Sequence, residues 1–208
     1  MAEIQHLFAS LVYVEQLDLD DSVVENLKNE EWKRNGNNNA YMSVSNQIHT
    51  LEKYKDLMST IDSHVHIFAR DYHKIKDEWT FGCSGSWVNL HKPKDWAAEH
   101  FHPNSFISGV LYLDVPSGTG DITFHSNMYL DHCFGPFWNP PLEEHTLHNS
   151  SQVHLKPGKG TLILFSSTLK HSVPWNRTDD KERYSFAFDY VPVGKITTYE
   201  NSITISNN

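Results

Sequence analysis

The sequence predicts an α+β fold: a jelly roll, or double-stranded β-helix of the cupin type, supported by N-terminal helices. Apolar residues recur with helical spacing in the first third of the chain, whereas from Trp79 onward about eight short strand-like runs alternate with Gly and Pro. Helices followed by many short strands are typical of α+β proteins, and eight strands are enough for a jelly roll. Neither an internal repeat nor a linker is visible, so we predict a single domain over residues 1–208.

Residues 1–78 are predicted to be mainly helical support. The run 7–17 has strand-like composition, and the Asp-Asp-Ser sequence at 20–22 offers N-caps for a helix over "VVENLKNEEWK". A polar loop follows at 35–39. In the segment 51–75 apolar residues recur every three or four positions, which predicts an amphipathic helix.

Residues 79–208 are predicted to form the jelly-roll core. "GTLILFS" is almost continuously apolar, as in a strand buried on both faces, and "RYSFAFDYVPV" alternates. An irregular insert rich in aromatics, Pro and His occupies residues 126–151. Long inserts in compact domains are functional or disordered, and we expect this one to close over a substrate. Its residues Phe134, Phe137 and Trp138 are candidates to cap that substrate, with a hydrophobic plug as the alternative.

Composition narrows the classes of function. The chain has no run of about 20 apolar residues that would span a membrane, and its N-terminus lacks the pattern of a secretory signal. Two cysteines, Cys83 and Cys133, are too few for a disulfide scaffold, so we expect free thiols and a cytoplasmic protein. The net charge of −9, without a Lys/Arg cluster, makes nucleic acid an unlikely partner. The oligomeric state is not indicated.

The stretch "EHFHPNSFISGVLYLD" places His100 and His102 two residues apart at the start of a strand-like run. Residues i and i+2 of a strand point to the same face, so the two imidazoles could chelate a metal. His171 follows the predicted buried strand "GTLILFS". Distant strands of a jelly roll lie side by side, so His171 could supply a third ligand. Alternatively, the pair is merely a polar surface feature, or His102 lies beside the metal and Asp95 or Asp121 is the third ligand.

Arg183 and Ser185 share one face of the last long strand. A guanidinium and a hydroxyl directed into a barrel are suited to holding a carboxylate. The alternative is a surface ion pair between Arg183 and Asp179 or Asp180. Two further histidines on predicted strands, His91 and His125, are expected to be hydrogen-bonded structural residues.

The ordered set resembles the Fe(II)/2-oxoglutarate-dependent oxygenases: H-x-H, a histidine 69 residues later, and R-x-S starting 12 residues after that. The likeness runs from about residue 86 to 190. "HFHPNSFISGVLYLD", "GTGDITF" and "KPGKGTLILFSSTLKHSV" are similar to a little-characterised branch in which H-x-H-P precedes S-G-V-x-Y-L.

The resemblance implies a set of roles. His100, His102 and His171 would bind Fe(II), Arg183 and Ser185 would hold the distal carboxylate of 2-oxoglutarate, and Tyr112 and Asn89 would reach the same co-substrate. Most of the superfamily has H-x-D, with a carboxylate where this chain has His102. Three histidines are also a catalytic zinc set, which leaves iron or zinc open, and the bulk of His102 argues against halogenation.

The implied activity is oxidation, expected to be hydroxylation, of a small molecule or a protein side chain by dioxygen, coupled to decarboxylation of 2-oxoglutarate. Two other interpretations stay open at this point. One is a three-histidine, cupin-type metalloenzyme that does not use 2-oxoglutarate, and the other is a non-catalytic jelly-roll binding module.

Overall fold

Two antiparallel sheets form the body of the protein. The computed structural model describes residues 9–36, 38–126, 141–146, 149–198 and 201–205. In chain order the strands of this part are β1 (Val12–Gln16), β2 (Trp32–Arg34), β3 (Tyr41–Ser43), β4 (Thr80–His91), β5 (Ala97–His100), β6 (Ile107–Asp114), β7 (Ile122–His125), β8 (Gln152–Leu155), β9 (Thr161–Ser166), β10 (His171–Val173), β11 (Arg183–Thr198) and β12 (Asn201–Ile205).

The large sheet has the order β1-β9-β6-β11-β4-β3-β2, with β12 paired to the far end of β11. The small sheet has the order β5-β10-β7-β8. In the central part of the large sheet, β1-β9-β6-β11-β4, neighbours in space are distant in sequence, as in a jelly roll. The predicted double-stranded β-helix is therefore confirmed. In addition, no helix in the described ranges is long and apolar enough to span a membrane.

Each face of the large sheet is buried against a different layer. Leu162 and Leu164 of β9, like Phe186 and Phe188 of β11, join the core that includes the helices. The alternating residue Ile163 belongs instead to a second core shared with the small sheet. Burial on both faces explains why β9 is an almost continuous apolar run.

Helix α1 (Asp21–Lys28) begins at the predicted cap, where the Asp20 carboxylate accepts the Ser22 N–H at 2.7 Å. It ends earlier than predicted, because the Asn29 side chain donates to the Glu25 carbonyl at 2.8 Å. The chain then forms β2 instead of continuing the helix. The prediction of one helix over residues 23–33 was therefore wrong in its second half.

The predicted helix over 51–75 is likewise divided. Two short 3₁₀ turns, Ile48–Thr50 and Glu52–Tyr54, precede helix α2 (Lys55–Ile67), and a wide π-type turn, Phe68–Tyr72, follows it. Lys74 has a φ of 55°, in the left-handed region, and this residue stops the helical path. The apolar spacing of α2 was predicted correctly, since Met58, Ile61 and Val65 are buried in the core.

The first 78 residues also contribute three strands to the part of the chain that the structure describes. The prediction of mainly helical support included only one of them, in the run 7–17. The run 7–17 contains β1, while residues 1–8 lie outside the described part. β2 and β3 extend the large sheet beyond β4. Of the insert 126–151, Phe134, Phe137 and Trp138 lie outside the described residues, as does Cys133. The division into support and core stays a prediction.

Candidate active site

A cavity of about 620 Å³ is lined by residues of both sheets. The large sheet contributes alternate residues of β11, namely Arg183, Ser185, Ala187 and Asp189. All four point to one face because successive strand residues alternate. The small sheet and the segment after β5 contribute the histidines. The predicted metal-binding and carboxylate-binding residues therefore line one cavity.

The three predicted metal ligands lie together. His100 ends β5 and His171 begins β10, and the two residues are directly paired between these strands. His102 lies two residues beyond β5, where its backbone N–H donates to the Ser167 carbonyl at 2.9 Å. One ring nitrogen from each histidine lies within 4.8 Å of the others, a spacing that can hold a metal ion.

The orientation of each ring leaves its second nitrogen free for a metal. Nδ1 of His100 lies 2.7 Å from the Ala98 carbonyl, and Nδ1 of His171 lies 3.0 Å from the Leu169 carbonyl. Carbonyl oxygens only accept hydrogen bonds, so both Nδ1 atoms carry the proton and both Nε2 atoms are bare. A backbone carbonyl or carboxylate behind each ring is the usual support of a metal-binding histidine.

The protonation of these rings also suits metal binding. Burial lowers the pKa of His100, and burial together with the neighbouring His100 lowers the pKa of His171 to about 3. Both rings are therefore neutral at physiological pH, as metal ligands must be. The donor set fits a divalent transition metal such as iron or zinc.

The sequence did not point to Asp189, which supports the third ring. Its Oδ1 lies 2.7 Å from Nδ1 of His102, and the Ser108 hydroxyl donates to the same oxygen at 2.6 Å. The side chain of Asp189 is 14% exposed. The alternation of β11 could have identified it, because Asp189 lies six residues from Arg183 on the same strand face.

Of the two acids considered as alternative third ligands, Asp95 has other partners, and the Asp121 carboxylate interacts electrostatically with Arg183. Asp95 accepts the backbone N–H of Lys92 at 2.9 Å and lies 3.8 Å from the guanidinium of Arg34. Neither Asp95 nor Asp121 belongs to the metal-holding group that the described residues form.

The predicted carboxylate-binding residues lie at one end of the cavity in two rows. In one row, Ser185 of β11 lies between Tyr112 of β6 and Asn89 of β4, directly paired with both. In the next row, Arg183 lies opposite His91. All five side chains line the cavity, which brings the four predicted co-substrate residues together.

Arg183 is 1% exposed and lies inside the protein, so a surface ion pair with Asp179 or Asp180 is not its environment. Its Nη1 donates to the Gly120 carbonyl at 3.1 Å, and its guanidinium lies 5.7 Å from the centre of the Tyr112 ring. Its Nε is buried without a hydrogen-bond partner. Among the described residues, Arg183 donates hydrogen bonds only to backbone carbonyls, while the Asp121 carboxylate acts on it electrostatically. A buried guanidinium with an unpaired Nε favours an anionic ligand.

Tyr112 is a hydrogen-bond donor at this end. Burial raises the pKa of its hydroxyl to about 12, so the group stays protonated at physiological pH. Gly120 has a φ of 104°, and a Cβ there would lie 3.0 Å from the Pro174 carbonyl oxygen. The loop whose carbonyl accepts the Arg183 hydrogen bond therefore requires glycine at this position.

The two histidines expected to be structural differ. His125 lies 2.8 Å from the Ser172 hydroxyl and 3.1 Å from the Glu99 carboxylate, so its prediction is confirmed. His91 is 4% exposed, yet neither of its ring nitrogens has a partner. The prediction of a hydrogen-bonded structural residue was wrong for His91.

Comparison with known proteins agrees with this arrangement. The model of the family described as "Putative 2OG-Fe(II) oxygenase" matches residues 85–189, half of the chain. No curated protein sequence matches the chain.

Several solved structures are similar to this one. The non-heme alpha ketoglutarate dependent epimerase SnoN from nogalamycin biosynthesis has a TM-score of 0.61 and 17% identity, covering 89% of this chain and 79% of its own. HygX from Streptomyces hygroscopicus, with nickel and 2-oxoglutarate bound, has a TM-score of 0.59 and 12% identity, covering 88% of this chain and 83% of its own. A Pseudomonas putida prolyl-4-hydroxylase has a TM-score of 0.57 and 14% identity, covering 88% of this chain and 94% of its own. At these identities the likeness establishes the fold.

Proposed function

Because the chain belongs to the 2OG-Fe(II) oxygenase family, we propose that it oxidises a substrate with dioxygen, Fe(II) and 2-oxoglutarate, and that the oxidation is a hydroxylation. One observation carries the proposal. The three-histidine cluster and the buried Arg183 line the same cavity, as a metal site and an anion site for one co-substrate require.

At the metal end, His100, His102 and His171 would hold the ion through their free ring nitrogens. An iron ion held there with 2-oxoglutarate would supply the activation of dioxygen, with decarboxylation of 2-oxoglutarate to succinate giving two of the four electrons and the substrate giving the other two. The protein's part is to fix the ligand directions before the metal arrives. The bonds from Nδ1 to Ala98 and Leu169 do this for two of the rings.

The third ring depends on Asp189. Its carboxylate accepts the Nδ1 proton of His102 and puts a negative charge one imidazole away from the metal. In the more common H-x-D set that negative charge belongs to a ligand itself. Asp189, hydrogen-bonded to the ligand His102, would thus supply the negative charge that His102 itself lacks.

At the other end of the cavity, Arg183 would bind the distal carboxylate of 2-oxoglutarate. The Ser185 and Tyr112 hydroxyls can donate to the same group or to the chain leading to it, and the Asn89 amide lies in the same row. This end is buried, so few water molecules would compete with these donors.

The substrate would enter at the rim of the cavity near the histidines. The exposed ring of Phe101 and the side chain of Pro103 line this part, together with Trp87. These apolar groups, with the polar Asn104 and Ser105 beside them, suit a small molecule or a protein side chain that presents a C–H bond.

The two alternatives are not favoured. A three-histidine enzyme that does not use 2-oxoglutarate has no need for a buried arginine facing its metal site. A non-catalytic binding module has no need for three neutral imidazoles with free nitrogens. Family membership and the chemistry of both cavity ends support the oxygenase.

An anaerobic titration tests the proposal. Fe(II) and then 2-oxoglutarate are added to the metal-free protein, and the weak visible charge-transfer band of the chelated pair is followed. We expect saturation at one equivalent of iron and formation of the band in the wild type. In Arg183→Met, 2-oxoglutarate should bind far more weakly, whereas Arg177→Met, at an exposed arginine, should behave as wild type.

Two outcomes would contradict the proposal. Iron binding without any band at saturating 2-oxoglutarate would support the enzyme that does not need this co-substrate. Failure to bind iron would support the binding module. Succinate formation in air, absent from His171→Ala, is the second measurement and reports turnover directly.

A further inference from the structure

We propose that His91 is a direct contact for the distal carboxylate of 2-oxoglutarate, beside Arg183. The inference rests on the proposed function and adds to it a residue that neither the H-x-H motif nor the R-x-S motif contains. Its starting point is the position of His91 as the last residue of β4, directly opposite the first residue of β11.

The strand register directs the ring into the cavity. His91 lies two residues after Asn89, so both side chains project from the same face of β4. Across the sheet, its partner Arg183 lies two residues before Ser185 on β11. His91 therefore belongs to the same two-row array as the other carboxylate-binding candidates, and it lines the same cavity.

The ring lacks partners for its polar atoms. Nδ1 and Nε2 are both buried and neither makes a hydrogen bond within the described protein. The adjacent Nε of Arg183 is in the same condition. Buried polar groups in folded proteins are almost always paired, so three unpaired nitrogens around one end of a cavity indicate a ligand that completes them.

The charge state of His91 suits a role beside an arginine. Burial, with a smaller contribution from Arg183, holds the pKa of His91 well below its ordinary value. The neutral ring does not repel the guanidinium, and it still carries one N–H that can donate. A carboxylate has enough lone pairs to accept from the guanidinium and the imidazole together.

The array would therefore distinguish dicarboxylic from monocarboxylic 2-oxo acids. 2-Oxovalerate is a suitable probe, because it has the carbon skeleton of 2-oxoglutarate with a methyl group in place of the distal carboxylate. A residue that contacts this carboxylate should affect binding of 2-oxoglutarate alone. A residue that only supports the fold should affect both compounds.

The test is an anaerobic titration of the Fe(II)-loaded full chain with each compound, followed by the visible charge-transfer band. His91→Phe keeps the size of the ring and removes both nitrogens, and His91→Gln restores one N–H. His154→Phe, at an exposed histidine of β8, is the matched control. Circular dichroism and iron stoichiometry establish that each variant is folded and loaded.

We expect His91→Phe to raise the dissociation constant of 2-oxoglutarate by roughly ten- to a hundredfold, the range for one hydrogen bond to a charged group. Its dissociation constant for 2-oxovalerate should stay at the wild-type value. His91→Gln should recover much of the affinity for 2-oxoglutarate, and His154→Phe should match the wild type.

Equal weakening of both compounds in His91→Phe would overturn the inference in favour of a structural role. Unchanged binding of 2-oxoglutarate would overturn it as well and would assign the unpaired nitrogens to buried water. Both results leave the proposed function intact. If the iron-loaded wild type fails to bind 2-oxoglutarate, the proposed function falls and the inference falls with it.

Discussion

Asp189 is the residue whose role the three-histidine ligand set explains best. Three neutral imidazoles leave a divalent metal with its full charge, and a carboxylate hydrogen-bonded to one of them offsets part of it. The Ser108 hydroxyl, itself 2.8 Å from the Ser167 hydroxyl, fixes that carboxylate from behind. The resulting chain of polar groups connects β6 and β11 to the metal site.

Replacing Asp189 with Asn should weaken metal binding roughly 10- to 100-fold, the usual effect of removing a group that supports a ligand. The amide keeps the size of the side chain but loses the charge. Calorimetric titration of the metal-free protein with Fe(II) under anaerobic conditions, or with Co(II), measures the change.

Asp179→Asn, at an exposed loop residue, is the control for the loss of one surface charge. Equal metal affinity in Asp189→Asn and the wild type would show that the carboxylate neither orients nor charges the site. Tighter binding in the variant would contradict the electrostatic account in particular.

At the level of residues, the sequence predicted the motif-bearing side chains and missed their supports. His100, His102 and His171 were found by spacing and resemblance, and the structure brings them together. Asp189 and His91 belong to no motif. Alternation along β11 puts Asp189 on the same face as Arg183, whereas only the pairing of β4 with β11 places His91 at the cavity. Alternation along one strand is readable from sequence, but pairing between strands distant in the chain is not.

Among the elements, β6 is packed tightly enough that its glycine is required. A Cβ on Gly109 would collide with the ring of Phe188 and lie 2.7 Å from Cδ2 of Leu164. Both neighbours are fully buried core residues of the adjacent strands β11 and β9. The missing side chain therefore allows three strands to approach the same point in the core.

We expect Gly109→Ala to lower the free energy of unfolding by about 1–3 kcal/mol, as overpacking of a core does. Gly85→Ala in β4 is the matched control, because a Cβ there meets its nearest atom, the Asn46 carbonyl oxygen, at an ordinary 3.8 Å. Urea unfolding followed by circular dichroism measures both. Similar stabilities for the two variants would mean that the core around Gly109 adapts.

Helix boundaries show why element ends were predicted less well than element types. The apolar spacing that indicated α2 continues through Phe68, which is buried like the helix residues before it. The helical path ends where Lys74 adopts a left-handed backbone conformation, and lysine carries no sequence signal for that conformation. In α1, the Asn29 bond to Glu25 ends a helix that charged residues would otherwise extend.

For the whole molecule, buried neutral histidines predict acid sensitivity. A histidine in the unfolded chain takes up a proton near pH 6.5, whereas folding holds the pKa of His91 well below that and the pKa of His171 at about 3. The unfolded state thus binds more protons as the pH falls below about 6.5, and the folded state loses stability through that window.

The contribution of one such histidine can be measured by difference. Below pH 6.5 the free energy of unfolding of the metal-free wild type should fall faster than that of His91→Gln, by up to about 1.4 kcal/mol per pH unit. Urea unfolding between pH 7.5 and 5 measures both slopes, and His154→Gln serves as the exposed control. Parallel curves for wild type and His91→Gln would mean that His91 is protonated in the folded protein.

The overall architecture was predictable from the change in apolar period near residue 79, which separates helices from short strands. The order of strands was not, because β9, β6, β11 and β4 are neighbours in the sheet but far apart in the chain. The packing of two layers on the large sheet decides that order. The apolar pattern of a single strand does not indicate which strand pairs with it.

β11 connects the two ends of the cavity in one continuous strand. Arg183 lies at its start and Asp189, behind His102, six residues further along the same face. A strand hardly stretches, so the separation of these two backbone positions is fixed. Because that separation is set by one strand, we expect four-carbon oxaloacetate and six-carbon 2-oxoadipate to bind more weakly than five-carbon 2-oxoglutarate in the anaerobic titration.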